Sequence, residues 1–267
     1  MLSFLMLAVA APPSLESEIE DLPEPEVEET EARPVVGGVD TQGSRWPGIA
    51  AVFLGREVGC TGTLIAPRVV LTAAHCAADI SGVSIGASNL QGLRAEYRAV
   101  RVIEHPRWAR TYDVALVILD RDATAEPAVI AQDCVIDASL HVGGPVDIVG
   151  YGAVDTRGNR YLDQLQAGRT RIIDPECRSM QRGCAEEVSP GGELSAGGGG
   201  VDACFGDSGG PIYVPRQGKM YLAGVTSRGF DDAHLPCSEG GIYVRADAVI
   251  DWIEAEGDYM KFHVNGR

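Results

Sequence analysis

Short runs of aliphatic and β-branched residues, each closed off by Gly, Pro or Asp, recur along this chain from residue 35 onward. They limit its fold more than any other feature. Val69–Leu71, Val114–Leu119, Val146–Val149, Ile212–Val214, Tyr221–Val225 and Ile242–Val244 have the length and β-branched content of strands. Their spacing predicts an all-β fold of the barrel or sandwich kind. The 33 glycines and 15 prolines among 267 residues provide turns in abundance and argue against long helices. One helical period does stand out near the end. Ala246, Val249, Ile250 and Ile253 repeat at helix spacing with Trp252 alongside, and Asp247, Asp251 and Glu254 fall between them. This helix is expected to pack against the body.

Ahead of residue 35 the composition changes. Residues 1–10, MLSFLMLAVA, are apolar and end in small residues, which predicts a signal peptide, although no basic residue precedes the apolar stretch. Residues 11–34 are rich in Pro and Glu, with nine acidic residues between Glu16 and Glu31. They are expected to form a solvated, disordered propeptide. Residues 35–256 then form the folded domain and 257–267 a C-terminal tail. The formal charge is −16, and beyond residue 34 there remain 29 acidic and 21 basic residues. A body of that sign repels phosphates and argues against nucleic acid as a partner. No stretch reaches the ~18 apolar residues of a membrane span. The low-side-chain stretch Gly191–Gly200 (GGELSAGGGG) is expected to be a mobile loop. Seven cysteines suggest an oxidising compartment, and none sits in a CxxC pair that would suggest zinc.

Three segments carry the chemistry: Leu71-Thr72-Ala73-Ala74-His75-Cys76, Tyr112-Asp113-Val114-Ala115-Leu116 and Cys204-Phe205-Gly206-Asp207-Ser208-Gly209-Gly210-Pro211. A serine hydroxyl is a poor nucleophile at neutral pH and needs an adjacent base, for which imidazole is suited. A carboxylate can hold that imidazole in one tautomer and stabilise its charged form. In the order His, Asp, Ser, with Val-Val-Gly-Gly at Val35–Gly38 upstream, the segments resemble the signature blocks of the trypsin/chymotrypsin family, peptidase S1. The likeness covers residues 35–256. The GDSGG setting differs from the GxSxG elbow of α/β-hydrolases, and the strand-rich pattern lacks the alternating helices of that fold.

The resemblance implies two packed six-stranded antiparallel β-barrels with a C-terminal α-helix, and a cleft between the barrels. It implies His75, Asp113 and Ser208 as the catalytic residues, and the N–H groups of Gly206 and Ser208 as an oxyanion hole. Asp202, six residues before Ser208, would floor a specificity pocket for Arg or Lys. Gly229 and Gly241 would keep that pocket open, and Ser227 would border it beneath the triad. Arg228 departs from the family's usual Trp and puts the neighbouring subsites in doubt. No cofactor or metal is implied, and Gly86–Arg98 has no clear counterpart of the calcium loop of some relatives. The implied disulfides are Cys60–Cys76, Cys177–Cys184 and Cys204–Cys237. Cys134 is left over, expected as a buried free thiol or a link to another chain. Val146 and Val214 would stand where many relatives carry a further disulfide.

Family members are made as zymogens. Here cleavage before Val35 would free an α-ammonium to pair with Asp207. The chain departs at that point, since Arg33 is followed by Pro34, which makes the bond resistant to trypsin-like enzymes. Cleavage after Pro34 by another protease, or trimming of Pro34, is expected instead. The sequence thus predicts a secreted (extracellular or periplasmic) monomeric serine endopeptidase. Its partners are protein or peptide substrates with Arg or Lys and an activating protease. The alternative is a non-catalytic binding module on the same fold; such relatives usually lose a triad member, and this chain keeps all three.

Overall fold

The computed structural model describes residues 35–109 and 111–256. The signal-peptide, propeptide and tail readings (1–10, 11–34 and 257–267) lie outside the described residues. Two closed six-stranded antiparallel barrels make up the domain. The first is built from β1 (Ile49–Leu54), β2 (Glu57–Ala66), β3 (Val69–Thr72), β4 (Ile80–Ile85), β5 (Tyr97–Glu104) and β6 (Ala115–Leu119). Its strands pair in the order β1-β2-β3-β6-β5-β4, and β4 closes on β1. The second is built from β7 (Pro145–Gly150), β8 (Gln166–Asp174), β9 (Glu193–Ala196), β10 (Pro211–Arg216), β11 (Lys219–Gly229) and β12 (Gly241–Arg245). It pairs as β7-β8-β9-β12-β11-β10, and β10 closes on β7. The two barrels therefore share one strand order, a repeat that the residues themselves do not betray.

Many strands are apolar along their whole length because both faces are covered. In β1, Ile49, Ala51 and Phe53 enter a core that spans both barrels, reaching Val149, Tyr213, Leu222 and Ile253. Ala50 and Val52, on the other face, pack inside the first barrel with Leu64, Val70 and Val117. The second barrel has its own interior of Val146, Ile148, Ile172, Leu194, Ile212 and Val214. Val146 and Val214 are both fully buried there. The core shared across the seam is what fixes one barrel against the other, and with it the cleft.

Two α-helices complete the described residues. α2 (Ile250–Glu256) continues a 3-10 turn at Asp247–Val249 and buries Ile253 in the shared core. Trp252 sets its ring edge-on to His105 at 4.9 Å, so the helix is pinned to the first barrel. α1 (Asp133–Ser139) has no counterpart in the sequence reading. It carries Cys134, which is free but exposed, correcting the expectation of a buried thiol. A second correction concerns Gly191–Gly200. Glu193–Ala196 within it is strand β9, every residue buried, paired on both sides to β8 and β12. Only the flanking glycines form turns.

Candidate active site

Two of the three chemistry-bearing residues stand next to each other through local structure in the first barrel. His75 sits on a 3-10 turn (Ala74–Asp79) directly after β3, and the Cys60–Cys76 disulfide ties that turn to β2. Asp113 immediately precedes the Val114-Ala115 entry into β6, the strand paired to β3. The His75 N–H donates to Asp113 Oδ1 at 2.9 Å, and His75 Nδ1 lies 2.7 Å from Asp113 Oδ2. Ser227, on β11 of the second barrel, donates its hydroxyl to the same Oδ2 at 2.8 Å. Burial pushes the Asp113 carboxyl upward, but these bonds from His75 and Ser227 outweigh it and hold it below the ordinary carboxylate range. An ionised carboxylate only accepts, so His75 Nδ1 carries a hydrogen, and in the neutral ring Nε2 is the acceptor. The Asp113 side chain is 12% exposed and that of His75 39%, so the free ring edge is open to a ligand.

Ser208 lines the same cleft as His75, and its loop is bolted to the first barrel. The Thr61 N–H on β2 donates to the Ser208 carbonyl at 2.9 Å, and its hydroxyl donates to the Gly206 carbonyl at 2.9 Å. Gly209, with φ +79°, fits so closely that a Cβ there would lie 2.1 Å from Thr72 Oγ1 and 2.5 Å from the Ala73 nitrogen. Only glycine allows both that conformation and that approach. Gly206 is likewise left-handed, with φ +94°. With the carbonyls of Gly206 and Ser208 turned onto Thr61, their N–H groups make no hydrogen bond among the described residues. His75 and Ser208 line one cleft of about 250 Å³ together with Ser227, Gly229, Gly241 and Tyr243.

Asp202 is not itself one of the lining residues; its neighbour Ala203 is. It is 1% exposed, and it accepts the N–H groups of Gly240 at 2.8 Å and Ala203 at 2.9 Å. Burial raises its carboxyl to about 6 despite those bonds. Close by is the Tyr243 hydroxyl, buried, unpartnered among the described residues, and pushed far up by its burial and by the fields of Asp202 and Asp207. Asp207 is wholly buried, and burial raises it to about 7. Its oxygens accept the N–H groups of Gly152 at 2.8 Å and Cys204 at 2.9 Å, and no cation pairs with it among the described residues. Val35 is fully buried in the second-barrel interior, and Val36 bridges to Asp202. In the uncut chain the Val35 nitrogen is part of a peptide bond, so Val35 and Asp207 form no ion pair.

Cys177–Cys184 and Cys204–Cys237 are bonded, the second beside Ser208 and the first closing a seven-residue separation near the cleft. Thr61, Gly152, Tyr243 and Glu193 also shape the site and escape sequence reasoning. Each is a lone polar or small residue within a strand or turn, with partners distant along the chain. The trio Cys60, His75 and Cys76 comes close enough to suggest a metal, but both sulfurs are committed to the disulfide and offer no thiolate.

This arrangement of fold and site has relatives. The family model described as Trypsin matches residues 35–253, and the chain belongs to the trypsin family of serine proteases. It is 31% identical to the bovine suppressor of tumorigenicity 14 protein homolog over 83% of its own length, 28% of that protein's. It is 31% identical to mouse serine protease 56 over 83% of its length and 38% of the relative's. With human kallikrein-8 the identity is 30%, over 82% of this chain and 85% of that one. The first two relatives are thus much longer than the shared region. Among solved structures, neuropsin, a serine protease expressed in the limbic system of mouse brain, superposes with a TM-score of 0.69 at 28% identity. That match covers 83% of this chain and 99% of neuropsin.

Proposed function

We propose that this chain is a secreted serine endopeptidase that cleaves after Arg or Lys through an acyl-enzyme, and that it is made as a zymogen. The observation that carries the reading is that His75, bonded through Nδ1 to buried Asp113, lines the same cleft as Ser208. His75 Nε2 takes the Ser208 hydroxyl proton as Oγ attacks the substrate carbonyl. The oxyanion so formed meets the N–H groups of Gly206 and Ser208, where one lost donor typically raises the barrier by about 2.7–4 kcal/mol. The imidazolium then protonates the leaving amine as the C–N bond breaks. Water, deprotonated by His75, attacks the acyl group, and Ser208 recovers its proton.

Buried Asp202 and the unpartnered Tyr243 hydroxyl support the Arg/Lys preference. A desolvated carboxylate favours a cationic side chain and is left unpaired by an apolar one. Buried Val35 and cation-free Asp207 support activation by a cut before Val35, since the freed α-ammonium would supply the absent charge. Disulfides and the apolar start of the chain support secretion.

The test is hydrolysis of Arg-amide chromogenic peptides by the processed protein. Arg and Lys amides are expected to be cleaved, Phe and Leu amides hardly at all, and Ser208→Ala is expected to lower kcat roughly 10⁶-fold. A processed protein inert toward all of them would instead favour the non-catalytic binding module. N-terminal sequencing of the secreted form is expected to read from Val35; another start would remove the Val35–Asp207 pair from the account.

A further inference from the structure

Arg228 stands between the candidate catalytic residues and a buried acid. On one side its Nε and Nη2 donate to the Gly183 carbonyl at 3.2 and 2.6 Å, and Nη2 lies 2.8 Å from Glu193 Oε1. Glu193, on β9, is 0% exposed. Its Oε2 accepts the Ala185 N–H at 2.8 Å, while Oε1 has the Arg228 contact but no aligned hydrogen bond. A carboxylate so deeply buried needs a counter-charge, and Arg228 is it. On the other side, Arg228 Nη1 donates to Ser227 Oγ at 3.2 Å, and Ser227 Oγ is the group that donates to Asp113 at 2.8 Å.

Donor counting gives this chain of contacts one direction. A guanidinium only donates, so the Ser227 oxygen must accept from it. A hydroxyl has one hydrogen, and with its oxygen lone pair engaged by Arg228 that hydrogen goes to Asp113. Asp113, ionised, only accepts, so His75 Nδ1 must carry a hydrogen. The donor-only Arg228 thereby directs the Ser227 hydroxyl, whose bond to Oδ2 joins those of His75 in orienting the Asp113 carboxylate.

We infer that Arg228, anchored by Glu193, is a positioning residue that commits the Ser227 hydroxyl to Asp113 and so keeps that carboxylate aimed at His75 Nδ1. The inference rests on the peptidase reading above, and the test separates the two. The substrate is an Arg amide carrying only a benzoyl group on its amino side, which offers no further side chains to the cleft, so contacts made by longer peptides do not enter. Arg228→Met is expected to lower kcat roughly threefold to tenfold, the range of one hydrogen bond, with KM within about twofold of the wild type. Arg228→Lys keeps a cation for Glu193 but lacks the fork that also reaches Ser227. It is expected to show the same loss of kcat, and it decides the matter should the Met variant not fold. In a Ser227→Ala background either Arg228 change is expected to cost little more, since the link is already cut. Unchanged kcat in both Arg228 variants, or losses that simply multiply with that of Ser227→Ala, would overturn this inference while leaving the peptidase reading intact. A processed wild type that fails to hydrolyse the amide overturns both.

Discussion

Asp202 illustrates how much one side chain can decide. Its carboxylate is held by two backbone N–H groups yet stays raised to about 6, because burial costs it more than those bonds return. A cationic substrate side chain would relieve that deficit. Asp202→Ser is therefore expected to lower kcat/KM for Arg amides by roughly 10²- to 10³-fold, the equivalent of removing one partner of a buried pair. Activity toward apolar residues should fall far less, and a panel of amides measures the contrast. Gly209 makes a simpler case. Any side chain there collides with Thr72 and Ala73, so Gly209→Ala is expected to separate the Ser208 loop from the first barrel and to abolish labelling by serine-directed reagents. At this scale the sequence was legible where a motif concentrates the chemistry in adjacent residues, as in Gly206–Gly210. It was silent on Thr61, whose partners Gly206 and Ser208 lie far along the chain, and on Glu193 and Tyr243, whose burial depends on how the second barrel closes.

The strands divide along similar lines. β3, β6, β7, β10, β11 and β12 coincide with apolar runs evident in the sequence, because both their faces are buried. β9 was misread as part of a mobile loop. Its four residues are flanked by glycines, and Glu193 and Ser195 break the apolar pattern, yet Glu193 is paired internally and Leu194 fills the second-barrel core. Leu194→Ala is expected to cost about 2–5 kcal/mol in denaturant unfolding, the penalty of a core cavity. A cost below about 0.5 kcal/mol, the level of surface substitutions, would restore the loop reading. α1 went unnoticed because its seven residues, Asp-Cys-Val-Ile-Asp-Ala-Ser, are short, partly β-branched and bury only Ile136. α2, with its helical apolar period, was plain.

For the molecule as a whole, two barrels of one strand order are fastened by a shared core, and the residues proposed to react stand where that fastening brings them together. Two buried acids add a dependence on pH. In the uncut chain Asp207 stands at about 7 and Asp202 at about 6, both above the ordinary 3.8. The folded state then holds these protons more tightly than the unfolded chain does. The stability these two acids contribute is therefore fully present below about pH 4 and is lost as pH rises through about 6 and 7. Chemical denaturation of the uncut Ser208→Ala precursor across that range is expected to show the fall, and Asp207→Asn to flatten it. Cleavage before Val35 should reverse the Asp207 contribution, because an ammonium would then favour the ionised form.

Everything proposed for this chain depends on Ser208 being a nucleophile activated by His75 in a cleft that accepts a cationic group. Active-site titration of the processed protein with the nitrophenyl ester of 4-guanidinobenzoate tests it directly. A burst of nitrophenol approaching one equivalent is expected, with mass spectrometry placing the guanidinobenzoyl group on Ser208, and no burst from His75→Ala. Absence of a burst from correctly processed wild type, or acylation at another residue, would contradict it.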